Sequence, residues 1–294
     1  MTALVLVGGC ASEAPVSPVA AERPAARAIR CLLTLPDARL GAVARARLLR
    51  DAGHYLGRQP GRIVYSALDL VTGVRLGRGE HEKGIITASG AKVDILLALL
   101  GRRGRLSDDE RDLATRMITE SDNHAADALW GRVGAGAGMS VFYDRIGLRE
   151  TTPGPGRFWG GTLTSPADRI RLLRLLVEGG KGVSAADRKL VLGLMGRVHR
   201  DQDWGVSAAA RPGDRVALKN GWTVRPFVHN TWAVTSYGRV TGPGRDLLLS
   251  VQTDQQPHEG RGIQAIEGLA RLIGRRLAGL TPSLTRPCIA HPSP

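Results

Sequence analysis

Lysine is nearly absent from this strongly basic chain. Of 41 basic residues only Lys83, Lys92, Lys181, Lys189 and Lys219 are lysine, and arginine supplies the rest. Arginine cannot lose its proton in a protein, whereas a buried lysine can, so each lysine that is kept raises the question of whether an amine, and not charge alone, is wanted there. Aromatics are sparse too, at 4% of residues. With so few rings and with basic residues scattered along the chain, the net charge of +14 has no stacking platform beside it, which argues against nucleic acid as a partner. Cysteine is limited to Cys10, Cys31 and Cys288, with no CxxC pair, and the seven histidines show no HExxH or comparable spacing. The sequence therefore implies no metal site and no cofactor. No run is long and apolar enough to span a bilayer.

What is present describes a globular chain. At 294 residues and 43% hydrophobic content, it can bury a sizeable core as one large domain or two closely packed lobes. The start, "ALVLVGGC", is a short apolar segment ending in small residues and Cys10. It resembles a lipobox whose cysteine is lipidated after signal cleavage, although the charged region expected ahead of it is missing. Residues 11–30 are rich in Ala, Pro and Ser and read as a tether. The expected organisation is a signal remnant over 1–10, a tether over 11–30 and a globular domain over 31–294. The protein is expected to be an exported monomer of the cell envelope, secreted or held at the membrane through Cys10. Cys31 and Cys288 stand near opposite ends of the globular part, where a disulfide would staple the terminal segments together in an oxidising compartment.

Hydrophobic periodicity predicts an amphipathic helix over 40–57 and then a hairpin, "RIVYSALDL" and "VRLGRGE" joined by "VTG". A block of helices follows, with one beginning at Ser89. "SDDERDLATRMITE" carries a capping box, and further helices are expected over 124–133, 139–146, 166–178 after Ser165, and 185–198 after Ser184. "RVALKNGW", "NTWAVTSYGRV" and "DLLLSVQTD" then read as an antiparallel meander, and "IQAIEGLARLIGRRL" as a closing helix. This segregation predicts an α+β fold: an antiparallel sheet of about five strands flanked by helices, with an inserted helical lobe.

Chemistry enters with "TASGAKVDILLALL", an apolar run interrupted by a lysine one turn after a serine. Burying an ammonium among leucines costs several kcal/mol unless it is paired. A helix starting at Ser89 would put Ser89 and Lys92 on one face, with the serine in the first turn, where free amides and the helix dipole favour a nucleophile and an oxyanion. "TESDNHAADAL" adds Ser121, Asp122 and Asn123 at a helix junction, suited to proton relay and carbonyl orientation. "ALKNGW" adds Lys219, Asn220 and Gly221 on a strand, an amine able to hold a serine hydroxyl and a carboxylate beside a glycine that permits close approach.

These three motifs, in this order and on this alternation of elements, resemble the SxxK, SDN and KTG motifs of the penicillin-recognising serine hydrolases, nearest to class A β-lactamases. The likeness extends over about 61–277. It implies a β-lactamase or transpeptidase fold and an acyl-enzyme mechanism without cofactor or metal. Ser89 would be the nucleophile, Lys92 its proton acceptor, Ser121 the relay to the leaving nitrogen, and Lys219 the group steering Ser121 and the substrate carboxylate. Asn123, Asn220, Gly221 and Trp222 would bind substrate, with the amides of Ser89 and Trp222 as oxyanion hole. The substrate would be a β-lactam or a D-alanyl peptide.

Three departures qualify the likeness. KTG is here KNG, so an amide replaces a hydroxyl next to a bulky Trp222. Ser89 and Ser121 stand closer together than is usual for class A. The loop "RIGLRETTPGPGRFWGGTLTSPA" offers only Glu150 as a base for deacylation, in an unfamiliar setting. Three readings remain open: a β-lactamase-type hydrolase, a D-alanyl-D-alanine carboxypeptidase-like enzyme, and a protein that binds β-lactams or wall peptides with slow turnover or none. Arg225 is a minor candidate for carboxylate binding. His124 and the remaining tryptophans read as surface or packing residues, with Trp159 bordering the cleft.

Overall fold

Leu247, Leu249 and Val251 alternate along the chain with Leu248, Ser250 and Gln252, and all six are buried. A strand with no solvent face needs cover on both sides, and it lies in the middle of a sheet. The computed structural model describes residues 32–287. In order, the chain forms β1 (Leu32–Pro36), α1 (Ala38–Leu56), β2 (Arg62–Asp69), β3 (Arg75–Arg78), β4 (Ile85–Ile86), α2 (Ala91–Arg103), α3 (Asp108–Thr119), α4 (Asn123–Arg132), α5 (Ala135–Ile146), β5 (Leu163–Thr164), α6 (Pro166–Glu178), α7 (Ala185–Met195), β6 (Arg215–Arg225), β7 (Thr231–Gly242), β8 (Arg245–Gln256), α8 (Glu259–Arg276) and β9 (Ser283–Pro287). One unit, Pro36–Leu284, carries the main sheet and every candidate site residue. The described part of the other lies in β1 and β9, which pair as a two-stranded sheet. Cys10, the tether, Cys31 and Cys288 lie outside the described residues.

The main sheet has the order β3-β2-β8-β7-β6, all neighbours antiparallel. The fold is thus α+β with a five-stranded antiparallel sheet, and the helical block α2 to α7 is inserted between β3 and β6. Strand alternation divides the core in two. Ile63, Tyr65, Ala67, Leu247, Leu249 and Val251 pack with α1 and α8 on one face. Leu68, Tyr237 and Leu248 join the helical block on the other. Local signals set the helix starts: Ser107 and Glu110 form the expected capping box on α3, Ser184 and Asp187 form another on α7, and Ser165 caps α6 ahead of Pro166.

Several boundaries differ from the sequence expectations. The helix expected from Ser89 begins at Ala91; Ser89 sits in a 3₁₀ turn, Ala88–Gly90, just before it. Helix α5 starts at Ala135, and α7 stops at Met195, where Gly196 takes the cap. The small β4–β5 ladder and the β1–β9 pair were not foreseen, since a two-residue strand has no periodicity to read.

Residues 91–100 of α2 are all buried, as expected of a helix that is apolar on every side. Lys92 and Asp94 are its buried charges. Asp94 takes both its carboxylate oxygens to Arg169 Nη1 of α6, at 2.7 and 3.0 Å, and accepts from Tyr143 Oη at 3.1 Å. The Arg169 guanidinium stands 5.5 Å from the Tyr237 ring centroid, and Tyr237 Oη donates to Gly90 O at 2.8 Å. This buried chain ties the 3₁₀ turn that bears Ser89 to the sheet and to α6. Arg169→Met should destabilise the fold by about 3–5 kcal/mol, because it leaves Asp94 buried without a partner, while the double variant with Asp94→Leu should recover most of the loss. Urea unfolding followed by tryptophan fluorescence measures both, and a single variant as stable as the parent would refute the role given to the pair.

Candidate active site

The buried run that begins α2 needs acceptors for the Lys92 ammonium, and the loop before α4 supplies them. Lys92 Nζ donates to Ser121 O at 2.5 Å, to Ser121 Oγ at 3.1 Å and to Asn123 Oδ1 at 2.8 Å. From the sheet, Lys219 Nζ donates to the same Ser121 Oγ at 3.0 Å and to Asn220 O at 3.0 Å. Two amines from elements far apart in the chain therefore flank one hydroxyl. Burial pushes the Lys92 amine down to about 7, against the opposing pull of the Asp122 and Asp127 charges. Burial, reinforced by the charge of Lys92, holds Lys219 well below its ordinary value. Uncharged amine at neutral pH is the form that accepts a proton.

Backbone strain marks the same place. Ser121 has φ +60 and Ala88, next to Ser89, has φ +46, a left-handed conformation that non-glycine residues seldom adopt and that the surroundings must hold. Asp122 caps α4 by accepting from Ala125 N, which fixes the Ser121 turn; this bond and the charge of Arg116 help hold the Asp122 carboxyl below its ordinary value. Gly221 explains how close β6 comes to the Ser89 turn. A Cβ there would sit 2.1 Å from Thr87 O and 2.9 Å from Ser89 N. Strand and turn are thus pressed backbone to backbone, with the Trp222 amide the next along.

Ser89 is half-buried and lines a cavity of about 320 Å3 whose walls include Asn123, Asp127, Arg157, Trp159 and Trp222. Its hydroxyl has no hydrogen-bond partner among the described residues, and Lys92 Nζ is engaged with Ser121 and Asn123. Such contacts commonly tighten only when substrate binds. Of the residues singled out in the sequence, Ser89, Asn123 and Trp222 line this cavity, with Lys92, Ser121, Lys219 and Gly221 joined to it through the contacts above.

Asn220 departs from its expected role. Its side chain is buried, and Nδ2 donates to Gln202 O at 2.7 Å and Trp204 O at 3.1 Å. Strand parity is the reason: Lys219 and Gly221 share one face of β6, so Asn220 points to the other. It pins the Gln202–Trp204 segment, and Trp204 packs edge-on against Trp222 at 5.8 Å. Arg225 is also committed, to Asp254 at 2.5 Å.

Glu150 is not among the cavity walls. Burial opposes its ionisation, yet bonds from Ser165 and His81 and the charge of Arg171 hold its carboxyl below the ordinary value. The loop instead presents Trp159, whose ring lies 4.7 Å from Lys92 Nζ and whose Nε1 donates to Asp127 Oδ1 at 2.7 Å. Asp127 was missed in the sequence, although it stands one helical turn after Asn123 on α4 and therefore faces the same way. The Asp94–Arg169–Tyr237 chain carried only one sequence signal, an acid inside an apolar run.

The sequence model of the Beta-lactamase enzyme family matches residues 109–277, a span that holds Ser121, Asn123 and Lys219 and starts after Ser89 and Lys92. The proteins named "Putative lipoprotein LppW" of Mycobacterium tuberculosis and Mycobacterium bovis are 30% identical over 206 residues, covering 65% of this chain and 62% of theirs. The chain thus spans less than two thirds of the length of these curated relatives. Among solved structures, PBP-A matches with a TM-score of 0.67 at 22% identity, over 79% of this chain and 96% of that one. A variant of the class A β-lactamase of the last common ancestor of Gram-negative bacteria matches with a TM-score of 0.66 at 24% identity, over 79% of this chain and 98% of that one. At these identities the likeness is one of fold, the β-lactamase/transpeptidase fold.

Gly221→Ala should cost about 1–3 kcal/mol, because the added methyl has backbone and not a flexible side chain to displace. Calorimetry reads it as a lowered melting temperature, and an unchanged melting curve would mean that β6 does not press on the Ser89 turn.

Proposed function

Since the chain belongs to the β-lactamase enzyme family, we propose that it is a serine amide hydrolase that reacts through an acyl-enzyme at Ser89, with β-lactams or D-alanyl amides as acyl donors. The observation that carries this reading is the meeting of Lys92 and Lys219 on Ser121 Oγ, the second across 98 residues of chain. Structural folding alone does not reward two desolvated amines on one hydroxyl.

In this mechanism Ser89 Oγ attacks the carbonyl carbon and its proton passes to neutral Lys92. The amides of Ser89 and Trp222 receive the developing oxyanion at the start of α2, where the helix dipole favours negative charge. The proton then moves from Lys92 through Ser121 to the leaving nitrogen, whose bond to the carbonyl breaks. Lys219 orients Ser121 and offers charge toward the leaving-group side. Asn123 gives its oxygen to Lys92, which leaves its amide hydrogens to hold the substrate carbonyl. The name carried by the mycobacterial relatives supports an exported, lipid-anchored location for the reaction.

One observation favours slow release of the acyl group over rapid β-lactamase turnover. The carboxylate nearest the nucleophile among the cavity walls, Asp127, is bonded to Trp159, whose ring covers Lys92. Glu150 is tied to Ser165 and His81 away from the cavity. Among the described residues the cavity wall thus offers a single carboxylate, Asp127, with one of its two oxygens held by the Trp159 indole.

Intact mass after exposure to benzylpenicillin should show one adduct, mapping to Ser89 and absent in Ser89→Ala. Lys92→Ala should acylate about 10²–10⁴ times more slowly, the usual worth of a positioned base. A label on a different serine would overturn the assignment. Because the proton acceptor is neutral Lys92 with its pKa lowered to about 7, the acylation rate should rise with pH and reach half its plateau near that value. Stopped acylation at a series of pH values measures it, and a rate flat between pH 5 and 9 would exclude Lys92 as the base.

A further inference from the structure

Apart from Asp51, His54 and Tyr55, helix α1 is built from arginine and apolar residues, with no serine, threonine, asparagine or glutamine. Leu48, Ala52 and Leu56 form its buried stripe and pack on the sheet beside α8. On the opposite side Arg39, Val43, Ala46 and Arg50 recur at i, i+4, i+7 and i+11, one outward row flanked by Leu40, Arg47 and Leu49, and all seven are exposed. Leu40, Val43 and Leu49 are large apolar side chains, yet they are 49, 53 and 42% exposed. Helix α8 extends this surface. The two helices run antiparallel, with Tyr55 Oη against Gln264 O and Asp51 bonded to Arg276. Exposed Arg271 and Arg275, near the end of α8, therefore lie beside the arginines of α1, and Glu259 is at the far end. The other acids here are engaged: Asp51 by Arg276, Glu267 by Arg271 at 2.5 Å, and Asp37 in capping α1. Arg39, Arg47, Arg50 and Arg275 have no ion-pair partner among the described residues.

A helix face turned to water normally mixes charges of both signs with uncharged polar groups. This one sets arginine heads between apolar side chains, the pattern of a helix that lies in a membrane interface. Anionic phospholipid satisfies both parts: its phosphates accept from the guanidinium forks, and the boundary between headgroups and acyl chains takes Leu40, Val43 and Leu49. A soluble polyanion would meet the arginines and leave those three in water. Position agrees with chemistry, since α1 is the first helix after the tether expected over 11–30 and after Cys10. We propose that the outer face of α1, with the end of α8, docks this domain on an anionic phospholipid surface. The sheet separates that face from the helical block that carries Lys92 and Ser121, so the docked domain keeps its cleft on the side away from the lipid. This docking does not depend on the acyl-enzyme reading.

The full chain carrying Cys10→Ser, which removes the thiol a lipid would be attached to, isolates the contribution of this face. It should sediment with vesicles of about one part phosphatidylglycerol to three of phosphatidylcholine, not with phosphatidylcholine alone, and added salt should weaken the binding. An arginine at such a surface is worth about fivefold in affinity, so Arg39→Gln, Arg47→Gln and Arg50→Gln combined should weaken binding about a hundredfold. Lysine substitutions at the same three positions, Arg39→Lys, Arg47→Lys and Arg50→Lys, should retain most of it, which separates lost charge from a lost fold. Leu40→Ser with Val43→Ser should weaken binding at unchanged charge. Arg105→Gln, Arg111→Gln and Arg149→Gln combined remove the same charge from exposed positions on the helical block and should leave binding nearly unchanged. Equal losses from the two glutamine triples would mean that net charge alone binds, and would overturn the proposal. So would tighter binding to a soluble glycerol phosphate polymer than to the vesicles. A parent chain found in membranes whose Cys10→Ser form ignores both kinds of vesicle would sustain the lipid anchor and sink the docking face.

Discussion

An amine buried beside a second amine is the constraint on which the rest of this structure turns. Lys92 is 0% exposed and Lys219 1%, and burial alone sets a cost of several kcal/mol against each charged form. Because folding lowers the Lys92 pKa from 10.5 to about 7, the folded chain holds fewer protons than the unfolded chain between those values. The resulting destabilisation is absent above the upper value and complete below the lower one, so stability contributed at this residue rises with pH. Three oxygens of the Ser121–Asn123 turn offset part of that cost. They reach Lys92 only because Ser121 adopts a left-handed backbone, and the Asp122 cap on α4 stabilises the turn that contains it.

The scaffold around the amines carries no chemistry of its own but fixes the distances. Helix α2 is held at its start by Tyr237 from β7 and one turn later by Arg169 from α6, so the Ser89 turn is bound to both the sheet and the helical lobe. β6 closes the arrangement from the other side. Its glycine permits backbone contact with the turn, and its lysine reaches across to Ser121. Each of these contacts joins segments remote in sequence, which is why the site forms only with the whole fold and not from any single motif.

That distinction also explains what could be read from the amino acids. The capping box at Ser107, the cap at Ser184, Pro166 behind Ser165 and the period-two meander from β6 to β8 are local signals, and they placed much of the framework that brings Ser89, Lys92, Ser121 and Lys219 to one region. The scarcity of lysine singled out two of those four. The onset of α2 at Ala91 was not legible, because it follows from the positive φ of Ala88 and the pressure of Gly221, both tertiary effects. The direction of Asn220 was legible and overlooked: once β6 is a strand, parity sends Asn220 away from any face that Lys219 and Gly221 share. The Arg169 and Tyr237 contacts were out of reach, since nothing in a sequence says which distant arginine meets a buried aspartate.

The loop from Glu150 to Thr164 shows how the same scaffold can favour one half of a reaction over the other. Glu150 is drawn toward α6: its backbone amide donates to Asp168 and its carboxylate is held by Ser165 and His81. With the acid anchored there, the chain winds tightly through Gly154 and Gly161, where a side chain would strike Phe158, and delivers an indole to the mouth of the cleft. An aromatic face over Lys92 stabilises the ammonium and excludes water, whereas a carboxylate in that place would do the opposite for a hydrolytic water. In the proposed reaction acylation draws on Ser89, Lys92, Ser121 and the amides of Ser89 and Trp222, held by the turns before α2 and α4, by α2 itself and by β6. Deacylation needs a base for water, and the loop that could supply one is occupied in clamping Asp127 to a tryptophan. The limiting step of the proposed reaction therefore falls after the acyl bond is made, a consequence of where one loop places its acid and its ring.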